Sequence, residues 1–200
     1  MSDHCCHAPA PGADPRYRRI LWIALAVNAA MFFVEIGASA TSGSAALAAD
    51  AVDFAGDAAN YGLSLAAIAA GGAWVSRSAL VKGVAMGAYG IGVLAFCAWR
   101  MHTGTPPEPF TMGVIGVLAL AANLWVAWLL YAYREGDANM RSVWLCTRND
   151  AISNLAVLAA AAGVFGTGSV WPDVAVASLM ASLALLSSVS VVRHARAELA

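Results

Sequence analysis

Asp53 and Asp57 stand four residues apart in an otherwise apolar stretch, and Asp50 precedes Asp53 by three. On a helix, residues four apart share one face. Two carboxylates held that close repel, so one keeps a proton or both take a cation. A second set repeats the period: Cys146, Asp150 and Asn154 follow at intervals of four. All three side chains offer lone pairs to a metal. Glu35 and Asn28 add polar groups to another apolar run. The chemistry these residues support is cation binding.

Each has a plainer reading. A single intramembrane acid such as Glu35 or Asp50 can simply bond a neighbouring helix. The Asp53–Asp57 pair resists that account, because helix packing does not need two carboxylates on one face. Cys146 reads either as a small hydrophobe or as a ligand. Asn154 reads more readily as a hydrogen bonder between helices than as a ligand. Arg148 is expected to snorkel to headgroups, with a counter-charge beside Asp150 as its alternative.

The elements that carry these residues follow from composition. The chain has 200 residues, 60% hydrophobic and 12% charged, with a mean hydropathy of +0.69. A soluble domain carries roughly 25% charged residues. Composition therefore argues against a soluble enzyme, a secreted disulfide scaffold, a nucleic-acid binder and a disordered chain. Six apolar stretches, residues 20–40, 45–70, 79–99, 110–131, 143–165 and 170–192, are each long enough to cross a bilayer as a helix. Breakers separate them: Thr41-Ser42-Gly43-Ser44, with Ser44 as an N-cap, then Gly71-Gly72, Gly104-Thr105-Pro106-Pro107, Arg134-Glu135-Gly136-Asp137 and Gly166-Thr167-Gly168-Ser169. The stretches do not alternate, which argues against a barrel. The expected fold is an all-α membrane protein of six transmembrane helices.

Arg16, Arg18, Arg19, Arg77, Lys82, Arg134, Arg141, Arg148, Arg193 and Arg196 fall on one side of such a bundle, and Arg100 on the other. The positive-inside rule then places both termini in the cytoplasm. Residues 1–13 contain no apolar run, so no signal peptide is expected and the first helix is retained. At 1.5 Å per residue, Asp53 and Asp57 lie about 12–18 Å below the outer end of the second helix. Asp150 lies about 11 Å above the cytoplasmic end of the fifth. Both sets come near the bilayer centre.

Residues 1–15 form a tail in which Asp3, His4, Cys5, Cys6 and His7 adjoin. Reduced cytoplasmic thiols favour metal capture over a disulfide. The alternative is a plain flexible leader, since adjacent ligands wrap an ion less cleanly than spaced pairs. Residues 16–196 form the membrane domain, and no C-terminal soluble domain is expected.

The segment SGSAALAADAVDFAGDAANYGLSL (42–65), with Asn28 and Glu35 before it, resembles the second helix of the cation diffusion facilitator family. There a His or Asp precedes an Asp by four residues, as Asp53 precedes Asp57. The segment RSVWLCTRNDAISNLAVLAA (141–160) is similar to the family's His-xxx-Asp helix, with Asp150 at the Asp and Cys146 where His or Asp is usual. The resemblance covers residues 16–195. It implies export of Zn, Cd, Co or Ni, with Fe and Mn as further candidates, in exchange for protons. The implied metal ligands are Asp53, Asp57, Asp150 and Cys146, supported by Asp50, Asn154, Glu35 and Asn28, with His4, Cys5, Cys6 and His7 as an accessory capture site. It also implies a homodimer in a bacterial inner membrane, a bundle of helices 1, 2, 4 and 5, and a 3–6 pair. The ion, zinc foremost, is cargo and no resident cofactor is expected. Two other readings stand beside it. One is a magnesium-dependent phospho- or prenyl-transferase using Asp50, Asp53 and Asp57, although no Lys or Arg lies between residues 45 and 70. The other is a sensor or structural protein using only the tail.

Overall fold

The computed structural model describes residues 15–70, 72–134 and 138–199, without the side chains of residues 67–70, 72–76, 78, 138–143 and 198. The tail ligands His4, Cys5, Cys6 and His7 lie outside the described residues. The described chain is helical: α1 (Pro15–Ser42), α2 (Ala45–Ala70), α3 (Gly72–Thr103), α4 (Pro109–Leu130), a short 3-10 turn (Tyr131–Tyr133), α5 (Ala138–Thr167) and α6 (Trp171–Leu199). Five helices, all but α2, are both long and apolar enough to cross a membrane. α2 has the length, 26 residues, or about 39 Å. It differs in carrying Asp50, Asp53 and Asp57.

Helices α1, α2, α5 and α4 close a ring in which α1 packs on α2, α2 on α5, α5 on α4 and α4 on α1. α3 packs chiefly on α6, and that pair docks on the ring through α2 and α5. The reason is visible in the buried positions. On α1 they are Tyr17, Leu21, Ala24, Asn28, Met31, Glu35, Ala38 and Ser42, alternating steps of four and three, with Ser39 also buried beside Ala38. On α4 they are Met112, Gly116, Ala119, Asn123, Val126 and Leu130, with the same alternation. This heptad seam suits neighbours crossing at about 20°. The opposite faces are apolar as well: Phe33, Phe110 and Phe165 are exposed by 71%, 76% and 81%. Polar groups inside and aromatic groups outside are what a lipid solvent selects.

The α3–α6 contact uses small residues. A Cβ on Gly83 would come within 2.9 Å of Val192, and one on Gly87 within 2.6 Å of Ser188 Oγ. The close approach lets Ser188 Oγ donate to the Gly83 carbonyl at 2.6 Å. Gly90 faces Leu185. The small-residue run of α3 thus serves α6.

The α1–α2, α3–α4 and α5–α6 connections share a turn chemistry. Gly43, Gly104 and Gly168 have φ of 73°, 65° and 60°. Each donates its N–H back to the preceding helix, to Ser39, Arg100 and Val164. Glycine takes this left-handed conformation without a Cβ penalty. Arg100 packs against Gly43 and Glu108 N–H donates to the Ser42 carbonyl at 3.0 Å, so the first two connections meet at one end of the bundle, the turn end. Glu108 also caps α4, accepting from Phe110 N at 3.0 Å and Thr111 N at 2.6 Å. Hydrogen bonds from the Thr111 side chain, then from the Thr111 and Phe110 amides, hold its carboxyl below the usual range.

Ser44 caps α2 as expected, accepting from Leu47 N at 3.1 Å. Asp173, from the first turn of α6, completes that cap. It accepts from Ser44 Oγ at 2.6 Å, Ala45 N at 2.8 Å and Ala46 N at 3.0 Å, fully buried. The start of α2 is thereby bonded to the start of α6 at the turn end.

Candidate functional site

Polar side chains from all four ring helices face inward. Asn28 and Glu35 of α1, Asp50 and Asp57 of α2, Asn123 of α4 and Asn154 of α5 are buried. Asp53 and Asp150 are half-buried. The heptad seams of α1 and α4 put Asn28, Glu35 and Asn123 there, because each occupies a seam position that would otherwise hold an apolar residue.

The carboxylates stand as pairs. Nearer the turn end, Glu35 of α1 and Asp50 of α2 are close enough to interact, yet both Glu35 oxygens and Asp50 Oδ2 lack a hydrogen bond of acceptable geometry. About 10 Å further along α2, Asp57 meets Asp150 of α5. Asp53 lies between, interacting with both Asp50 and Asp57. Tyr61 Oη donates to Asp57 Oδ2 at 3.1 Å and shares a 2.6 Å hydrogen bond with Thr147 Oγ1. The residue pairs Asp57–Asp150 and Tyr61–Thr147 advance in opposite chain directions, as antiparallel α2 and α5 require.

Several buried acceptors have no hydrogen-bond partner: Asn28 Oδ1, both Glu35 oxygens, Asp50 Oδ2, Asn123 Oδ1, Asp150 Oδ2 and Asn154 Oδ1. Asn28 spends its amide N–H on the Ala24 carbonyl, at 2.8 Å, leaving its oxygen spare. Each unmatched buried polar group costs about 1–3 kcal/mol. Asn154 Nδ2 is unpartnered too, but acceptors predominate in the ring, the arrangement a bare cation satisfies. Among the described residues no three His, Cys, Asp or Glu side chains converge closely enough to hold one ion. Among the described residues, a cation held by more than two of these groups requires the pairs to draw together.

Cys146 is half-buried on α5, one turn before Asp150. Arg148 is exposed and lies over the Trp144 ring at 5.5 Å, with Nη2 donating to Asn149 at 3.2 Å. Among the described residues, Lys82 of α3 approaches the acids. Its Nζ donates to Asn60 Oδ1, and its charge acts on Asp57. The absence of Lys and Arg along α2 is thus not an absence around it. Asn123, Tyr61, Thr147 and Lys82 are the residues that sequence reasoning missed. Asn123 had a signal, as a lone amide in an apolar stretch. Lys82 had none, because only the docking of α3 on α2 brings it to Asn60.

The family model of the cation efflux transmembrane domain matches residues 21–200. Among curated proteins, none matches the chain.

Proposed function

Since this chain belongs to the cation efflux family, and so is a divalent-cation transporter of the membrane, we propose that it exports Zn2+ and similar ions (Cd2+, Co2+, Ni2+, with Fe2+ and Mn2+ as further candidates) from the cytoplasm in exchange for protons. The observation that carries this reading is the set of unpartnered oxygens on α1, α2, α4 and α5 around carboxylate pairs. Asp53, Asp57 and Asp150 hold the ion, and Asn154 or, in its reduced thiolate form, Cys146 completes its shell. Asp50, Glu35 and Asn28 support them or carry protons, and His4, Cys5, Cys6 and His7 gather ions at the entrance. Ligands must be deprotonated to bind a metal, so loading releases protons and reprotonation expels the ion.

All six helices span in this reading, with both termini cytoplasmic, in a bacterial inner membrane. The basic residues opposite the turn end support that orientation. The working unit is a homodimer, as the family's architecture suggests. The transferase alternative finds no support, since the matched family is one of transporters.

The test is metal flux into proteoliposomes under an imposed pH gradient, run metal by metal. The expected result is zinc movement coupled to proton movement, reduced at least about a hundredfold by D57N or D53N. Full flux in either variant removes that residue from the site, and zinc movement indifferent to the pH gradient removes the exchange.

A further inference from the structure

Lys82 belongs to α3, outside the four-helix ring, yet it reaches into the ring's chemistry. Its Nζ donates to Asn60 Oδ1 on α2. Asn60 follows Asp57 by three residues on α2, which puts the two on one helix face, and the Lys82 charge attracts the Asp57 carboxylate. The contact is half-buried, where salt screens little. Resting on the reading of Asp57 as a metal ligand, we propose that Lys82 is a tethered internal cation: it occupies the Asn60–Asp57 end of the site in the metal-free protein, leaves when a divalent ion binds, and so sets the apparent metal affinity.

The molecule has room for that exchange. A cavity of about 620 Å³ lies between α2 and α3, bordered by Ala59, Gly62, Leu63 and Ala66 on one side and Arg77, Val81 and Lys82 on the other. Ala59, Gly62 and Ala66 are small, so the cavity offers the flexible lysine stem space to turn away from Asn60. An ammonium is a point charge on four methylenes, suited to such movement. The ion and the lysine compete for one carboxylate end. The metal therefore sees only the fraction of molecules in which Lys82 has withdrawn, and its apparent affinity is lowered by that fraction.

Calorimetric titration of zinc into the full chain in lipid nanodiscs tests this. K82Q, which keeps polarity and loses charge, is expected to bind zinc about tenfold more tightly than the parent. K82R, which keeps the charge, stays near the parent, and R77Q on the cavity wall changes little. Structural damage weakens binding, so tightening cannot come from damage. K82M provides a second uncharged variant should K82Q fail to fold. Affinity in K82Q and K82M equal to or weaker than the parent overturns the proposal. So does equal tightening in R77Q, which would mean a diffuse field. D57N run alongside separates the premise: zinc binding unchanged in D57N sinks the ligand assignment itself, independently of the lysine variants.

Discussion

Asn123 carries an unmatched carbonyl oxygen inside α4, on the seam that faces α1 and α5. An apolar residue of similar size would remove that cost of about 1–3 kcal/mol. A residue retained against stability is expected where function needs it. N123L should therefore raise the thermal unfolding temperature in detergent while lowering zinc flux about tenfold. Flux at the parental level with raised stability would make Asn123 a packing accident. The acids were readable from sequence because a charge in hydrocarbon is so costly that each one stands out. Asn123 escaped because an amide costs less and carries no charge. The division of the carboxylates into Glu35–Asp50 and Asp57–Asp150 was not readable either. It depends on how α1 and α5 are registered against α2, which no local pattern encodes.

At the scale of elements, Asp173 shows how one helix start can depend on another. Its carboxylate satisfies Ser44 Oγ and the amides of Ala45 and Ala46 at a buried site. D173A should cost about 2–4 kcal/mol, combining a lost cap with orphaned donors. D173N should recover part of it, measured by thermal unfolding in detergent. An unchanged midpoint in D173A would deny the cap its role. The α3–α6 seam makes a different prediction. A methyl at Gly87 would sit 2.6 Å from Ser188 Oγ, so G87A should destabilise by about 1–3 kcal/mol. S188G removes that oxygen and should relieve most of the G87A penalty, a non-additivity that a double-mutant cycle reads directly. Additive effects would place the strain elsewhere. Helix ends were readable where glycine supplied the turn, as at Gly43, Gly104 and Gly168. The start of α3 was not: it begins at Gly72 rather than near residue 79, because Ser76, Arg77 and Ser78 interrupt the apolar run there. That displacement put Lys82 at a helix margin in the sequence reading and well inside α3 in the structure.

For the whole molecule, the ring of α1, α2, α5 and α4 and the docked α3–α6 pair form two bodies with different contents. The acids with unpartnered oxygens, Glu35, Asp50 and Asp150, lie in the ring, the pair's buried acid Asp173 is spent on the α2 cap, and the α3–α6 seam is built on Gly83, Gly87 and Gly90. A tag inserted at Thr105 should be reached by an impermeant probe from outside, and a tag at the C-terminus only after the membrane is opened. Both tags on one side would leave an even number of spans after Thr105, not the three of α4, α5 and α6. That orientation is an expectation from charge asymmetry, while the partition into two bodies depends on tertiary contacts.

The bond between α2 and α6 has a mechanical consequence. Asp173 fastens the start of α2 to the other body, while Asp57 lies about 18 Å further along the helix. A rod fixed at one end is a lever, with displacement growing in proportion to distance from the fulcrum. A tilt of about 10° around that fulcrum would carry Asp57 by about 3 Å, and Asp50 by only about 1.3 Å. The two carboxylate pairs would then travel unequally, so the Asp57 end could open or close on an ion while the Glu35–Asp50 end stayed nearly still.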